Sequence, residues 1–250
     1  MSIELLILFF VGCVGGFLNV MAGGGSLLTV PIMIFMGIPG PVANGTNRIA
    51  IIAQNIAAVS AFAKQGFANF KLSLSLAIAA IPGAVTGAWV AANLPEQDFN
   101  TMLAVIMGIV MIVMSIKPTK KSTQSNREHI PSKNQLIAGH VLMVGAGFWG
   151  GFIQIGVGFI MMPILHRVMG LDLVTTNSHK VFIALVYTTV ALLVFATQLQ
   201  LYWMHGIVLG IGMAAGGVYG ARFQINKGEK SIKWVLNLVL VGFIVKLLFF

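Results

Sequence analysis

Long apolar runs separated by short polar breaks fill the chain. Eight of them, at residues 3–21, 43–63, 72–92, 101–116, 135–153, 174–196, 202–221 and 232–250, are each near the ~20 residues a helix needs to cross the hydrocarbon of a bilayer. Two more, at 26–37 and 159–170, are shorter and bounded by glycine. In lipid every backbone amide must be bonded within its own segment, so these runs predict helices and not strands. The ten-residue alternation of an outer-membrane barrel is not visible. The pattern predicts an all-α polytopic membrane protein with 8–10 membrane segments, the short runs being broken or re-entrant.

Composition agrees. Hydrophobic residues make up 58% of the 250 and charged residues only 8%, whereas a soluble domain carries about 25% charged residues. The surface of this chain must face lipid over most of its area. The first run reads as a span and not as a secretory signal, because Glu4 stands where a basic region should be and no small-x-small cleavage site precedes a hydrophilic domain. The single cysteine, Cys13, supports neither a disulfide framework nor a metal cluster and reads as a small packing residue. No metal and no cofactor are expected.

The stretch 117–134, with Lys, Ser, Thr, Gln, Asn and Pro131, is the one that reads as a soluble loop. It divides the chain into a first membrane repeat, 1–116, and a second, 135–250, and the two resemble each other. In the first, Gly23, Gly24, Gly25 and Ser26 lead to Pro31, Gly37 and then Asn44-Gly45-Thr46-Asn47-Arg48; in the second, Gly156-Val157-Gly158 lead to Pro163, Gly170 and Thr176-Asn177-Ser178-His179-Lys180. The two prolines are 132 positions apart (163 − 31), and so are Arg48 and Lys180. A shared offset with the basic residue in register points to duplication.

Charge then orients the halves, since Lys and Arg mark the cytoplasmic side of short loops. The break at 64–71 is basic, and its counterpart at 198–205 has no Lys or Arg. The break at 94–99 holds Glu96 and Asp98, and its counterpart at 222–233 holds four basic residues against Glu229. Equivalent loops with opposite signatures predict an inverted second half. The breaks 64–71, 117–133 and 222–233 hold eleven of the fifteen Lys and Arg and are placed in the cytoplasm, with both termini outside. The net charge of +9 is then an orientation signal with some affinity for anionic lipid headgroups, and no nucleic-acid partner is implied.

Inverted repeats are a recurrent transporter plan, with substrate near the midplane at helices interrupted by Gly or Pro. Candidate substrate-binding residues at the two interruptions are Gly23, Gly24, Gly25, Ser26, Asn44, Thr46, Asn47 and Arg48 in the first half, and Gln154, Gly156, Gly158, Asn177, Ser178, His179 and Lys180 in the second. Glycine runs let backbone N–H groups converge, a helix that starts after one presents unpaired donors and partial positive charge, and Arg48 and Lys180 add one formal charge per half. Small anions are the ligands such an arrangement suits. Two readings stay open for several of these residues. The glycines also serve close helix packing, the asparagines also serve as helix caps, Arg48 and Lys180 also suit snorkelling to headgroups, and His179 is either a packed imidazole or a proton-sensitive ligand. Asn19, Gln54 and Asn55 are further polar positions within apolar runs, suited to interhelical hydrogen bonds. His166 and Arg167 follow a short run and mark a helix end.

The segment Gly-Gly-Gly-Ser-Leu-Leu-Thr-Val-Pro at 23–31, followed by Val-Ala-Asn-Gly-Thr-Asn-Arg at 42–48, closely resembles the TauE/SafE family of sulfite exporters. So does the weaker second copy, at 156–163 and 176–180, which lacks the triple glycine and carries Lys180 where an arginine would stand. The resemblance covers essentially the whole chain. It implies a bacterial or archaeal plasma-membrane carrier of sulfur-containing anions such as sulfite, sulfonates or sulfoacetate, with related members acting on other organic acids.

The mechanism this suggests is alternating access around a fixed anion site. Of the six acids, Asp172 alone falls near the candidate site, and it also suits a helix cap, so a uniporter or weak proton coupling through His179 is favoured over a carboxylate-driven pump. An anion channel is a second reading. An intramembrane enzyme or assembly subunit is a third, disfavoured because no His-Glu-x-x-His site, nucleophile elbow or cysteine pair is present. The partners expected are a small anion and the lipid bilayer; a homodimer is left open. With Cys13 replaced, Glu96→Cys is expected to react with an impermeant thiol reagent from outside and Ser125→Cys from inside; labelling from one side would end the inverted reading.

Overall fold

The computed structural model describes residues 3–67, 70–115 and 131–227; the apolar run at 232–250 and most of the 117–134 linker lie outside them. The described residues form nine α-helices and no strand: α1 (Ile3–Ala22), α2 (Ser26–Phe35), α3 (Gly40–Lys64), α4 (Phe70–Ala92), α5 (Glu96–Ser115), α6 (Lys133–Phe152), α7 (Val157–Pro163), α8 (Leu173–Gln198) and α9 (Trp203–Lys227). A π-helical turn, Ile164–Val168, continues α7 beyond Pro163, where the missing amide of proline breaks the α ladder. Asp172 caps α8, its side chain accepting from the amides of Val174 and Thr175 at 3.0 Å, and Ser132 and Gln135 close a capping box on α6. Glu96 and Asp98, placed in a loop by the sequence, lie in the first turn of α5, where the helix dipole favours acids.

Among the described residues, five helices are long and apolar enough to cross a bilayer: α1, α4, α6, α8 and α9. α2 has ten residues and is about 15 Å long at 1.5 Å per residue, half of the hydrocarbon thickness. The short runs therefore do not cross. α3 has 25 residues but carries Asn44, Thr46, Asn47, Arg48, Gln54 and Asn55, all buried. Its polar face is turned to protein, which is what makes such a helix tolerable at membrane depth. Outward-facing Phe10, Ile78, Trp89, Val141, Leu193 and Ile211 are exposed instead, as lipid contact requires.

Small residues decide which helices touch. A Cβ added at Gly16 would lie 2.1 Å from the Met213 carbonyl oxygen, and one at Gly216 would lie 1.9 Å from that of Cys13. α1 and α9 thus approach backbone to backbone, as small residues allow in membranes, and Gly212 facing Phe9 with Gly220 facing Phe17 shows that they run in the same sense. α4 and α6 repeat the arrangement, with Gly147 against Ala80 and Gly151 against Ala84. α3 packs along α9, Gly206 meeting Ile49 and Gly217 meeting Gln54, again in the same sense. α8 packs on α4, where Leu76, Ala80 and Ala84 share a cluster with Ile183, Ala184 and Tyr187. α3 and α8 cross in opposite senses: Arg48 meets Phe195 at one end, and Ala58 and Phe62 meet Val181 at the other.

At the repeat offset α1 corresponds to α6, α3 to α8 and α4 to α9, so each contact has its exchanged twin. The first helix of either half packs on the fourth helix of the other half. Gly16→Ala is expected to destabilise the detergent-solubilised protein by about 1–3 kcal/mol through overpacking. Gly145→Ala, where an added Cβ meets nothing within 4 Å, is expected to be neutral or slightly stabilising. Thermal unfolding of the two variants checks this, and equal losses would refute the packing scheme.

Candidate functional site

Both interrupted helices end inside the molecule. At the end of α6 the chain leaves the helix through Ile153 and Gln154, whose amides both return to the Trp149 carbonyl at 3.0 and 3.3 Å. The last carbonyls of α6 are left without helical donors. Three are taken from α3: Arg48 donates from Nη1 to the Gly150 carbonyl at 2.9 Å and from Nη2 to the Gly151 carbonyl, and Asn44 donates from Nδ2 to the Phe152 carbonyl at 2.8 Å. The Trp149 indole N–H fixes the following turn by bonding the Ile155 carbonyl at 2.8 Å. Arg48 is fully buried, and its guanidinium carbon lies 4.6 Å from the centre of the Phe195 ring, a cation–π contact.

The end of α1 is treated alike from the other side. Lys180, on α8, donates to the carbonyls of Val20 at 3.0 Å and Asn19 at 3.4 Å. Arg48 and Lys180, matched at the repeat offset, each complete the broken first helix of the opposite half. A cation at a helix C-terminus is also favoured by the dipole. Removing Arg48 would take the side-chain donors from the Gly150 and Gly151 carbonyls, and removing Lys180 would take that of Val20, the Asn19 carbonyl keeping the Gly23 amide at 2.8 Å, at about 1–3 kcal/mol for each group left bare.

The breaks themselves meet at the centre. Gly23 has φ +78°, and a Cβ there would lie 2.5 Å from the Gly158 Cα; only glycine serves at that position. Gly156 takes φ 71° at the start of α7, and Gln154 takes φ 62°, the one positive-φ residue other than glycine among the described residues. Such a conformation is uncommon for a residue with a Cβ and gathers at functional sites.

Beside the Gly23–Gly158 crossing lies a small cavity of about 20 Å³, room for about one water. Asn19, Gln54, Asn55, Gln154 and Lys180 line it together with Gly23, Gly158 and the apolar side chains of Val157, Met161, Val181 and Ala184. Three of its carboxamides form a chain: Asn19 Nδ2 donates to Gln54 Oε1 at 2.7 Å, and Gln54 Nε2 donates to Asn55 Oδ1 at 3.1 Å. Asn55 Nδ2 and Gln154 Oε1 are buried with no partner. The four described acids, Glu4, Glu96, Asp98 and Asp172, are all exposed and none lines the cavity.

The structure therefore sorts the residues singled out in the sequence. Gly23, Gln154, Gly158 and Lys180 share the cavity. Ser26 and Asn47 are joined by a 3.1 Å bond from Asn47 Nδ2, and Thr29 donates to Asn47 Oδ1 at 2.7 Å, so this group pins α2 to α3. Gly24 forms the turn before α2 and Gly25 its N-cap, packed against the Gly15 carbonyl. Thr46 accepts from the Tyr202 amide at 3.2 Å. Ser178 donates to the Phe67 carbonyl, Asn177 is buried on α8, and His179 pairs through Nδ1 with Ser73 Oγ at 2.7 Å. Arg48 and Asn44 serve the α6 end, and Gly156 the α7 start. Asn19, Gln54 and Asn55 lay outside the candidate set. Gln54 and Asn55 were legible as part of a face, because Asn44, Asn47, Arg48, Gln54 and Asn55 recur at helical spacing along one side of α3; Asn19, on α1, was legible only as a polar position in an apolar run.

Comparison with known proteins agrees with this architecture. The chain is similar to a probable membrane transporter protein, ORF9, of Sinorhizobium sp, 27% identical over 98% of this chain and 92% of the relative. It is similar to a probable membrane transporter protein of Haemophilus influenzae, 25% identical over 93% and 90% of the two chains. It is also similar to the probable membrane transporter protein YfcA of Escherichia coli, 26% identical over 97% and 89%. No solved structure matches the chain significantly. The family model described as sulfite exporter TauE/SafE matches residues 8–247. With its membrane-length helices and the interlocked broken pair between them, this multi-pass protein is a membrane transporter of the TauE/SafE family.

Proposed function

We propose that this transporter exports small sulfur-containing anions, such as sulfite, sulfonates or sulfoacetate, across a bacterial or archaeal plasma membrane by alternating access. The observation that carries the reading is the cavity at the crossing of the two broken helices, where Lys180 supplies a cation, carboxamides supply hydrogen bonds and no described acid opposes them. The family description names sulfite, and an anion leaving the cell moves down the membrane potential without a coupling ion. Other small organic acids would suit the same donors.

Two inverted halves, 1–116 and 135–250, are part of this proposal. The opposite senses of α3 and α8, and the exchanged packing of α1 on α9 and α6 on α4, support them. The basic breaks and the 117–134 linker are assigned to the cytoplasm on charge. The small volume of the cavity, about 20 Å³, supports a carrier over an open channel: an anion larger than water enters only when the halves part.

Sulfite and sulfoacetate flux into proteoliposomes tests the function. Wild type is expected to show saturable flux. Lys180→Gln is expected to lower flux at least tenfold while still melting cooperatively, at a somewhat lower temperature because the Val20 carbonyl loses its donor, and Lys180→Arg to keep part of the flux. Arg48→Gln is expected to act chiefly on melting, because its donors serve the α6 carbonyls. Undiminished flux in Lys180→Gln would move the site elsewhere.

A further inference from the structure

The two halves offer one charge each, yet they do not offer it to the same place. Arg48 is held at the α6 end: its two terminal nitrogens bond the Gly150 and Gly151 carbonyls, Phe195 covers the guanidinium, and the Nε donor is buried without a partner there. It does not line the cavity. Lys180 does, and an ammonium has three donors, of which the Asn19 and Val20 carbonyls occupy two. The remaining walls are neutral. Asn55 is 2% exposed and Gln154 3%, and the Asn55 amide nitrogen ends the carboxamide chain with no acceptor. Reversing all three carboxamides would keep both internal bonds and pass the free NH2 group to Asn19, which also lines the cavity. Either way a donor on the cavity wall, buried on Asn55 or half-buried on Asn19, waits for an acceptor.

We infer that the cavity is a single-charge site that selects monovalent oxyanions over divalent ones, so that within the proposed substrates hydrogen sulfite and monosulfonates pass in preference to the sulfite and sulfoacetate dianions. This rests on the anion-transport reading above and names the substrate class of the same site. One cation, with no described acid nearby, balances one negative charge. A second negative charge brought into this enclosure would be buried without a partner, which is strongly unfavourable. The free carboxamide N–H group adds a hydrogen bond to an anionic oxygen without adding charge, a charge-assisted bond of the stronger kind. Pseudo-symmetry would have predicted two equivalent charges and a site suited to a dianion. The sequence difference that breaks it is local: the Asn19–Gln54–Asn55 chain has Gly151, Val186 and Tyr187 at the matching positions of the other half, so the carboxamides gather on the Lys180 side alone.

The test is flux and counterflow in proteoliposomes with methanesulfonate, 1,2-ethanedisulfonate and sulfate, at fixed pH. The first carries one charge and the others two, and none of them titrates near neutrality. Methanesulfonate is expected to move at least tenfold faster than either dianion. That flux is expected to fall at least tenfold in Lys180→Gln, to recover in part in Lys180→Arg, and to weaken several-fold in Asn55→Leu with melting unchanged. Dianion flux equal to that of methanesulfonate, or dependent on Arg48 in variants that melt like wild type, would overturn the single-charge site while leaving anion transport standing. Absence of flux for all three anions, alongside flux of a neutral solute, would overturn the transport reading itself.

Discussion

A helix that stops inside a membrane leaves carbonyls that neither lipid nor water can bond, and this protein is arranged around meeting that demand. Two of its helices, α1 and α6, stop this way. The donors come from the other half of the chain in both cases, Arg48 and Asn44 for α6 and Lys180 for α1. Neither half can bury its own broken helix alone. The requirement explains why cations are found at full burial in lipid-facing surroundings, why α3 is polar along one side, and why each half packs its first helix on the fourth helix of the other. Close glycine contacts then let the exchanged helices approach until their backbones touch.

Hydrophobic periodicity made the helices legible, and the positions of α1, α3, α4, α6, α8 and α9 follow from the apolar runs to within a few residues. It also marked two runs as short, and left open whether they cross or re-enter. What it could not give was partnership. Arg48 beside a polar cluster suggested an anion ligand, but a guanidinium is equally suited to bare carbonyls, and the choice depends on which helix end lies opposite. That end is about one hundred residues away in sequence, so no local pattern announces it. Gln154 is similar. Its positive φ comes from the turn between α6 and α7, and its place in the cavity from the crossing of Gly23 with Gly158. Asn19, Gln54 and Asn55 were visible as polar positions and lacked only the knowledge that α1 and α3 bring them together.

On the proposed reading, the same interruption that creates a structural demand would also create a place for substrate. Backbone polarity at membrane depth is tolerated where it is buried in protein or lines a cavity. Here both occur, a few residues apart: the carbonyl ends are bonded, and the adjoining space is lined by carboxamides and one ammonium. Because Lys180 belongs to both, drawing its ammonium towards an anion would loosen the end of α1. On that reading, binding and the contact between the halves would be coupled through one side chain, which is the kind of differential interaction a conformational cycle needs.

The location of a bromine-bearing sulfonate in crystals of the protein, found by anomalous scattering, tests the central claim most directly. The account predicts a peak beside the Gly23–Gly158 crossing, with the sulfonate oxygens in hydrogen-bond reach of Lys180 Nζ and the Asn55 carboxamide. A peak at the Arg48 guanidinium, with Lys180 still bonded to the α1 carbonyls and its cavity empty, would contradict it.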